Sequence, residues 1–257
     1  MNTTSLGHNA KIIGQFSRQA VPFAELPGHS DSIQLLIDMC QLNGDEDVLD
    51  VACGPGLVAC AFAQYAKHVT GIDITPKMIE EASARQKAHG LANMHWQIGD
   101  STQLPFEDEA FSVVLTRYSF HHLLDPRAAL SEMLRVCKPG GMVLVADVVQ
   151  PPEKAAAYDA FELLRDPSHT HAMTYPEMEE VIQQSGLMDV RTARYTVDGE
   201  MEAQLKASFP NPGDDVKIRE MFMSDIGQDK LGMNVRTSGG EVHFSVPILV
   251  VAGRKPI

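Results

Sequence analysis

The sequence predicts an α/β fold built on a parallel sheet with crossover helices. Three observations predict it. Between about residues 45 and 150, short apolar runs alternate with stretches of helical spacing. The first run leads into a glycine loop, Gly54-Pro55-Gly56, placed where a strand turns into a helix. The second run ends in an acidic residue, Asp73, 19 residues after Gly54.

Asp47-Val48-Leu49-Asp50-Val51 forms the first strand. A helix follows from about Leu57, with Val58, Phe62 and Tyr65 at apolar spacing. His68 to Asp73 is the second strand. Thr75 then serves as N-cap and Pro76 as first helical residue of a helix that runs through Met78, Ile79 and Ala82 toward Gly90. Met94 to Ile98 is the third strand and Phe111 to Thr116 the fourth. A helix covers about Asp125 to Cys137, with Pro126 in its first turn. Lys138-Pro139-Gly140-Gly141 is a turn, and Met142 to Asp147 is a fifth strand, apolar enough to be central.

The organisation changes after Asp147. Pro151-Pro152 punctuates the chain, and Ala157, Phe161 and Leu164 then space like one helix face. Pro176 opens a further helix that ends at Gly186. Val190 to Val197 and Val242 to Val251 are the last strands, with helical segments of mixed polarity near 200–226. Residues 1–30 are polar with scattered apolar anchors, Phe16, Val21 and Phe23. The chain reads as one domain over 1–257. Its nucleotide-binding core is about 40–150, and 1–35, 151–186 and 198–232 form a cap over a second site.

Composition narrows the function classes. Of the 257 residues, 44% are hydrophobic and 21% charged, which suits a folded globular chain. The net charge is −13 and the 21 Lys and Arg are dispersed, which argues against a nucleic-acid partner and against anionic membrane surfaces. No stretch is long and apolar enough for membrane insertion, and the N-terminus lacks the pattern of a signal peptide, so the expected location is cytoplasmic. Cys40, Cys53, Cys60 and Cys137 form no C-x-x-C pair and read as small buried hydrophobes; no metal is expected.

The glycine loop and Asp73 together define a nucleotide site. Glycines let the backbone approach a ligand, the helix start offers free N–H groups, and an acidic group at the end of the second strand accepts from ribose hydroxyls. Gly54-x-Gly56-x-x-Ala59 also satisfies the dinucleotide pattern, so NAD is an alternative ligand. Asp50 tilts the choice. A carboxylate beside the loop repels a diphosphate and attracts the ammonium group of S-adenosylmethionine.

Asp50-Val-Ala-Cys-Gly-Pro-Gly56, Gly71-Ile-Asp73, Gly99-Asp100-Ser101, Leu104-Pro105-Phe106 and Arg135-Val-Cys-Lys-Pro-Gly-Gly141 resemble the successive motifs of class I S-adenosylmethionine-dependent methyltransferases. The resemblance covers about residues 40–150 and points to the branch that holds the ubiquinone/menaquinone C-methyltransferases and related small-molecule enzymes. It implies a Rossmann-like, doubly wound sheet of seven strands with the last antiparallel. It implies that Gly54 and Gly56 pass against the methionine part of the cofactor, with Asp50 at its ammonium end. Asp73 would grip the ribose, Ile74 and Met78 would pack on the adenine, and Asp100 would accept from the adenine amino group beside Ser101. Thr116 and Arg117 would line the methionine side. Ala52 stands where the family often has a glycine, so slight crowding is expected there.

Two histidine clusters are candidates for acid–base work. His121 and His122 follow the fourth strand, at the sheet end where open α/β sheets bind ligands, and a histidine titrates near neutral pH. Each could also serve only to cap and pack its loop. Arg165-Asp-Pro-Ser-His169-Thr-His171 lies between two cap helices, and His169 is the preferred residue there. The expected activity is methyl transfer to a small-molecule acceptor, with S-adenosylhomocysteine as product, by a monomer or homodimer. The alternatives are an NAD-linked oxidoreductase on the same loop and a non-catalytic module that binds S-adenosylmethionine.

Overall fold

The computed structural model describes residues 3–24 and 32–257, with the side chains of 3 and 22–24 excepted. The chain opens with α1 (Thr3–Ala24) and α2 (Ile33–Cys40). The alternating core follows: β1 (Asp47–Val51), α3 (Leu57–Phe62), β2 (His68–Asp73), α4 (Pro76–Ala88), β3 (Met94–Ile98), β4 (Phe111–Arg117), α5 (Pro126–Val136) and β5 (Cys137–Val148). A 3-10 turn, Phe120–His122, sits between β4 and α5. The last part holds α6 (Pro152–Arg165), α7 (Tyr175–Gln184), β6 (Met188–Glu200), α8 (Met201–Ser208), α9 (Asp214–Asp225), β7 (Arg236–Ser238) and β8 (Glu241–Arg254).

The strands form one sheet in the order β3-β2-β1-β4-β5-β8-β6, and β7 pairs with β8. β1 to β5 run parallel, whereas β8 is antiparallel to both β5 and β6. This is the doubly wound, Rossmann-like sheet expected, with its last strand reversed. The three-residue β7 is an eighth strand, too short to carry a period in the sequence. β6 and β8 are also longer than expected and continue past the core as a two-stranded wall.

Alternation along the strands divides the core into two layers. Val48, Val69, Val113, Leu115 and Leu144 face one layer with α2, α3, α6, α8 and α9. Leu49, Val51, Ile72, Val114, Val143 and Val145 face the other with α5 and α7. Helix starts follow local chemistry. Asp125 caps α5 by accepting from the Ala128 N–H at 3.0 Å. Thr174 and Glu177 form a reciprocal capping box on α7.

α1 is a 22-residue helix whose inward stripe is Ile12, Gln15, Phe16, Gln19 and Ala20. Two glutamines break that stripe's apolar period, which is why the sequence reads as polar with scattered anchors. Of those anchors, Phe16 turns inward and Val21 is exposed, while the side chain of Phe23 lies outside the described residues, as do residues 25–31. Among the described residues, no helix is long and apolar enough to cross a membrane.

Candidate active site

Two neighbouring cavities open at the carboxyl ends of the parallel strands, where the strand order reverses. The smaller, of about 160 Å³, lies over the β1–α3 loop and the ends of β2 and β4, and α1 covers it with Asn9, Ile12 and Phe16. Asp50, Ala52, Gly54, Asp73, Ile74, Met78, Gly99, Asp100, Ser101 and Arg117 all line it.

Its polar groups have distinct states. Asp50 is buried, and among the described residues its Oδ2 has no hydrogen-bond partner. Burial pushes the Asp50 carboxyl up to about 7, against the opposing charge of Arg117. Asp73 accepts from the Gly54 N–H at 2.9 Å and the Thr75 N–H at 2.8 Å, one on each oxygen. Burial raises its pKa and these two donors restrain the rise. Each oxygen keeps a lone pair for a ligand. Asp100 Oδ1 is taken by the backbone and hydroxyl of Thr102, and Oδ2 accepts from Asn9 Nδ2 at 2.8 Å.

The loop backbone is itself unusual. Ala52 has φ 55°, so its departure from glycine puts an alanine in the left-handed backbone region. Gly54 has φ 52°, and a Cβ there would meet nothing, which leaves that face open to a ligand. Gly56 does not line the cavity. A Cβ there would stand 2.9 Å from both Ala82 and Trp96, so Gly56 lets α3 begin against α4 and the Trp96 ring. Thr116 is likewise a pin within the sheet: its hydroxyl donates to the Val51 carbonyl at 2.7 Å and meets Ser119 Oγ at 2.6 Å.

The larger cavity, of about 380 Å³, shares Phe16, Tyr118 and His122 with the first. Its walls come from α1, the loop after β4, the end of β5, α6, α8 and the extended β6–β8 pair. Most of the lining is aromatic or aliphatic, including Tyr158, Phe161, Phe244 and Ile248. The polar lining falls in two groups, His121, Glu162, Arg165, Asp166 and Gln19 on one wall and Asp198, Glu200, Gln204 and His243 toward β6, α8 and β8.

His121 lines this cavity, and its Nδ1 lies 2.5 Å from Asp147 Oδ1. Asp147 also accepts from the backbone N–H groups of Phe120 at 2.6 Å and Val148 at 2.7 Å. Burial opposes the charge on both partners, but their mutual attraction wins, so His121 is raised and Asp147 lowered. Asp147 was read only as the end of a strand. Its signal was that position: a carboxylate at the carboxyl end of a central parallel strand faces the site.

His122 differs from its neighbour. Burial, reinforced by His121, pushes it down to about 3, so it is neutral. Its ring meets Phe16 edge-on at 4.9 Å, Ser168 Oγ lies 3.2 Å from Nδ1, and its carbonyl accepts from His8 Nε2 at 2.7 Å. His169, the preferred cap residue, reaches neither cavity. Its side chain is fully buried, with Nε2 2.8 Å from Asp159 Oδ1. His171 also bonds to Asp159, so this pair braces the loop instead of converging on a common point. α7 also departs from the expected cap, because Met178, Val181 and Ile182 pack on the opposite face of the sheet.

Comparison with known proteins agrees with this architecture. Residues 49–145 match the family model for a methyltransferase domain. The chain is 27% identical over 259 residues to the uncharacterized methyltransferase YcgJ of Bacillus subtilis, covering 99% of each. The crystal structure of YcgJ superposes with a TM-score of 0.81 at 24% identity, covering 89% of this chain and 100% of that one. The ubiquinone/menaquinone biosynthesis C-methyltransferase UbiE of Roseobacter denitrificans is 32% identical over 50% of this chain, a match that spans 53% of that protein. Fold and motifs together define a class I methyltransferase. The stretch from Leu49 to Val145 thus carries a methyltransferase domain, and the full-length resemblance to YcgJ is of the same kind.

Proposed function

We propose that this protein transfers a methyl group from S-adenosylmethionine to a small organic acceptor held in the larger cavity. One observation carries the reading: two adjoining cavities share Phe16, Tyr118 and His122, and the smaller holds a buried carboxylate with an unpartnered oxygen. Asp50 Oδ2 suits the ammonium group of the cofactor. The spare lone pairs of Asp73 suit ribose hydroxyls, Ile74 and Met78 offer an apolar bed for the adenine, and Asp100 beside Ser101 offers an acceptor for its amino group. Gly54 gives the backbone room beside the methionine part, with Arg117 across from it. When bound, the cofactor supplies a methyl group already activated by its sulfonium charge.

The chain's own residues then have limited work. α1 and the residues around Phe161 and Phe244 exclude water, which strengthens electrostatics in the cavity. His121 Nε2 accepts the acceptor's proton, and Asp147 holds the resulting imidazolium. His122, neutral and packed on Phe16, forms the partition between the two cavities. Segments 3–24, 151–166 and 198–204 act as the cap over the 40–150 core. A cavity of about 380 Å³ falls within the range of small-molecule sites.

Calorimetric titration with S-adenosylmethionine, S-adenosylhomocysteine and NAD tests the site. Binding of the two sulfur ligands and not NAD is expected. Asp73→Ala is expected to weaken S-adenosylhomocysteine by roughly tenfold to a hundredfold, the range for lost hydrogen bonds to a charged group. Unchanged affinity in that variant removes the ribose assignment.

A further inference from the structure

Gln19 lies on the inner face of α1, is completely buried and lines the larger cavity. Its Nε2 donates to Asp166 Oδ2 at 3.2 Å and to the Ser208 carbonyl at 3.0 Å. Both partners only accept, because Asp166 is held below the usual carboxylate range: burial opposes its charge, and the neighbouring His122, Arg165 and Ser168 outweigh burial. The amide therefore has one possible orientation, nitrogen toward these oxygens and Oε1 away from them. Among the described residues, Oε1 has no hydrogen-bond partner. A buried amide oxygen without a donor is costly, and a site that binds a ligand is where such a deficit is tolerated.

The other charged groups in that wall are already engaged. Arg165 Nε bonds to both oxygens of Glu162 at 2.9 and 3.0 Å, and its NH1 donates to Ser208 Oγ at 3.3 Å. His121 is bound to Asp147. Arg165 is thus neutralised by Glu162, His121 is held by Asp147, and Asp166 adds a further negative charge. An anionic ligand entering this wall would meet three buried carboxylates and no cation without its own counter-charge. The remaining lining joins the apolar side chains of Phe16, Phe161, Phe244 and Ile248 to Asp198 and Glu200, which add negative charge, and to His243, which lies 3.5 Å from Glu241.

We propose that Gln19 Oε1 is a specificity-determining acceptor for a ligand hydroxyl or amine hydrogen. The cavity takes a compact apolar molecule, uncharged or cationic, that carries such a donor, and it rejects carboxylates and phosphates. The identification of that ligand as the methyl acceptor rests on the function proposed above; the selectivity itself does not.

Three probes of one size test it by calorimetry, each with and without saturating S-adenosylhomocysteine: 2-naphthol, 2-methoxynaphthalene and 2-naphthoate. The naphthol is expected to bind at least about tenfold more tightly than its methyl ether, the usual scale for one buried hydrogen bond, and the naphthoate not measurably. Gln19→Met removes the acceptor at nearly constant shape and is expected to bring naphthol and ether within about threefold of each other while leaving S-adenosylhomocysteine affinity unchanged. Naphthoate binding as tightly as naphthol, equal affinity of naphthol and ether in the wild type, or failure of all three probes overturns the proposal. So does a Gln19→Met variant that keeps the naphthol preference. The wild-type ranking stands even if that variant fails to fold. Should S-adenosylhomocysteine not bind while the ranking holds, the methyltransfer reading of the cavity fails and the Gln19 assignment survives.

Discussion

Asp50 carries a carboxyl in a place that folding disfavours. Its folded-state value of about 7 lies well above the value of 3.8 for an unburied Asp. The sign follows directly: the protonated form is favoured in the folded chain, so the stability this group contributes is present below about pH 4 and lost as pH rises through about 7. The difference is on the order of 4 kcal/mol between those limits. Asp50→Asn is therefore expected to raise the melting temperature of the ligand-free protein at pH 8, and to weaken S-adenosylmethionine binding. In the wild type, binding of the cationic ammonium should favour the ionised carboxylate, so affinity should rise between pH 6 and 8. Calorimetry in two buffers of different ionisation enthalpy reads the proton released; no proton release in the pH 6–7 range would contradict the assignment. At Ala52 the opposite kind of change is expected to help. Ala52→Gly should relieve the positive φ and stabilise the fold by about 1 kcal/mol, read as denaturant midpoint. At His121, Asp147→Asn should lower turnover by roughly two to four orders of magnitude once an acceptor is in hand, with S-adenosylhomocysteine affinity unchanged. A histidine NMR titration should show His121 losing its raised pKa in that variant, a change that a purely structural role would not produce.

Among the elements, α1 does the most that the sequence concealed. Its side chains reach both cavities, and its polar contacts are distributed along the helix: His8 to the His122 carbonyl, Asn9 to Asp100, Gln15 to the Ser208 carbonyl at 2.7 Å. A helix so anchored at its inner face responds to breakage as a unit. Ser17→Pro removes backbone bonding at an exposed position, costs about 3 kcal/mol of helix, and is expected to weaken S-adenosylhomocysteine binding more than tenfold while far-UV circular dichroism keeps the sheet signal. Retained affinity would show that α1 does not complete the cofactor cleft. The β1–α3, β2–α4 and β4–α5 units were legible because each obeys a single local rule: an apolar run, a turn residue, a helical period. α7 was legible as a helix but not as to place, since nothing in Met178, Val181 and Ile182 says which face of the sheet they cover.

For the whole molecule, ligand binding and stability are linked by mass action. S-adenosylhomocysteine at a hundred times its dissociation constant should add about 2.7 kcal/mol, or roughly 5–10 °C in melting temperature for a chain of this size, and NAD should add nothing. A shift produced by NAD alone would reopen the dinucleotide reading. With a net charge of −13 and only 21 Lys and Arg, no electrophoretic shift of DNA or RNA is expected at physiological salt.

By itself the sequence determined the parallel sheet, the order of its strands and helices to residue 150, and the grouping of Asp50, Gly54, Asp73 and Asp100, which line the smaller cavity. These depend on chain-local periodicity and on motifs that occupy the ends of successive strands, so short windows carry them. Only the tertiary structure decided that Gly56 and Thr116 serve packing, and that His169 is walled off behind Asp159 while His121 lines the cavity. It alone showed that Gln19 and His121, the latter bound to Asp147, line one cavity. Those assignments depend on which way a side chain points and what it meets across the fold, and no local period encodes a partner so distant in the chain.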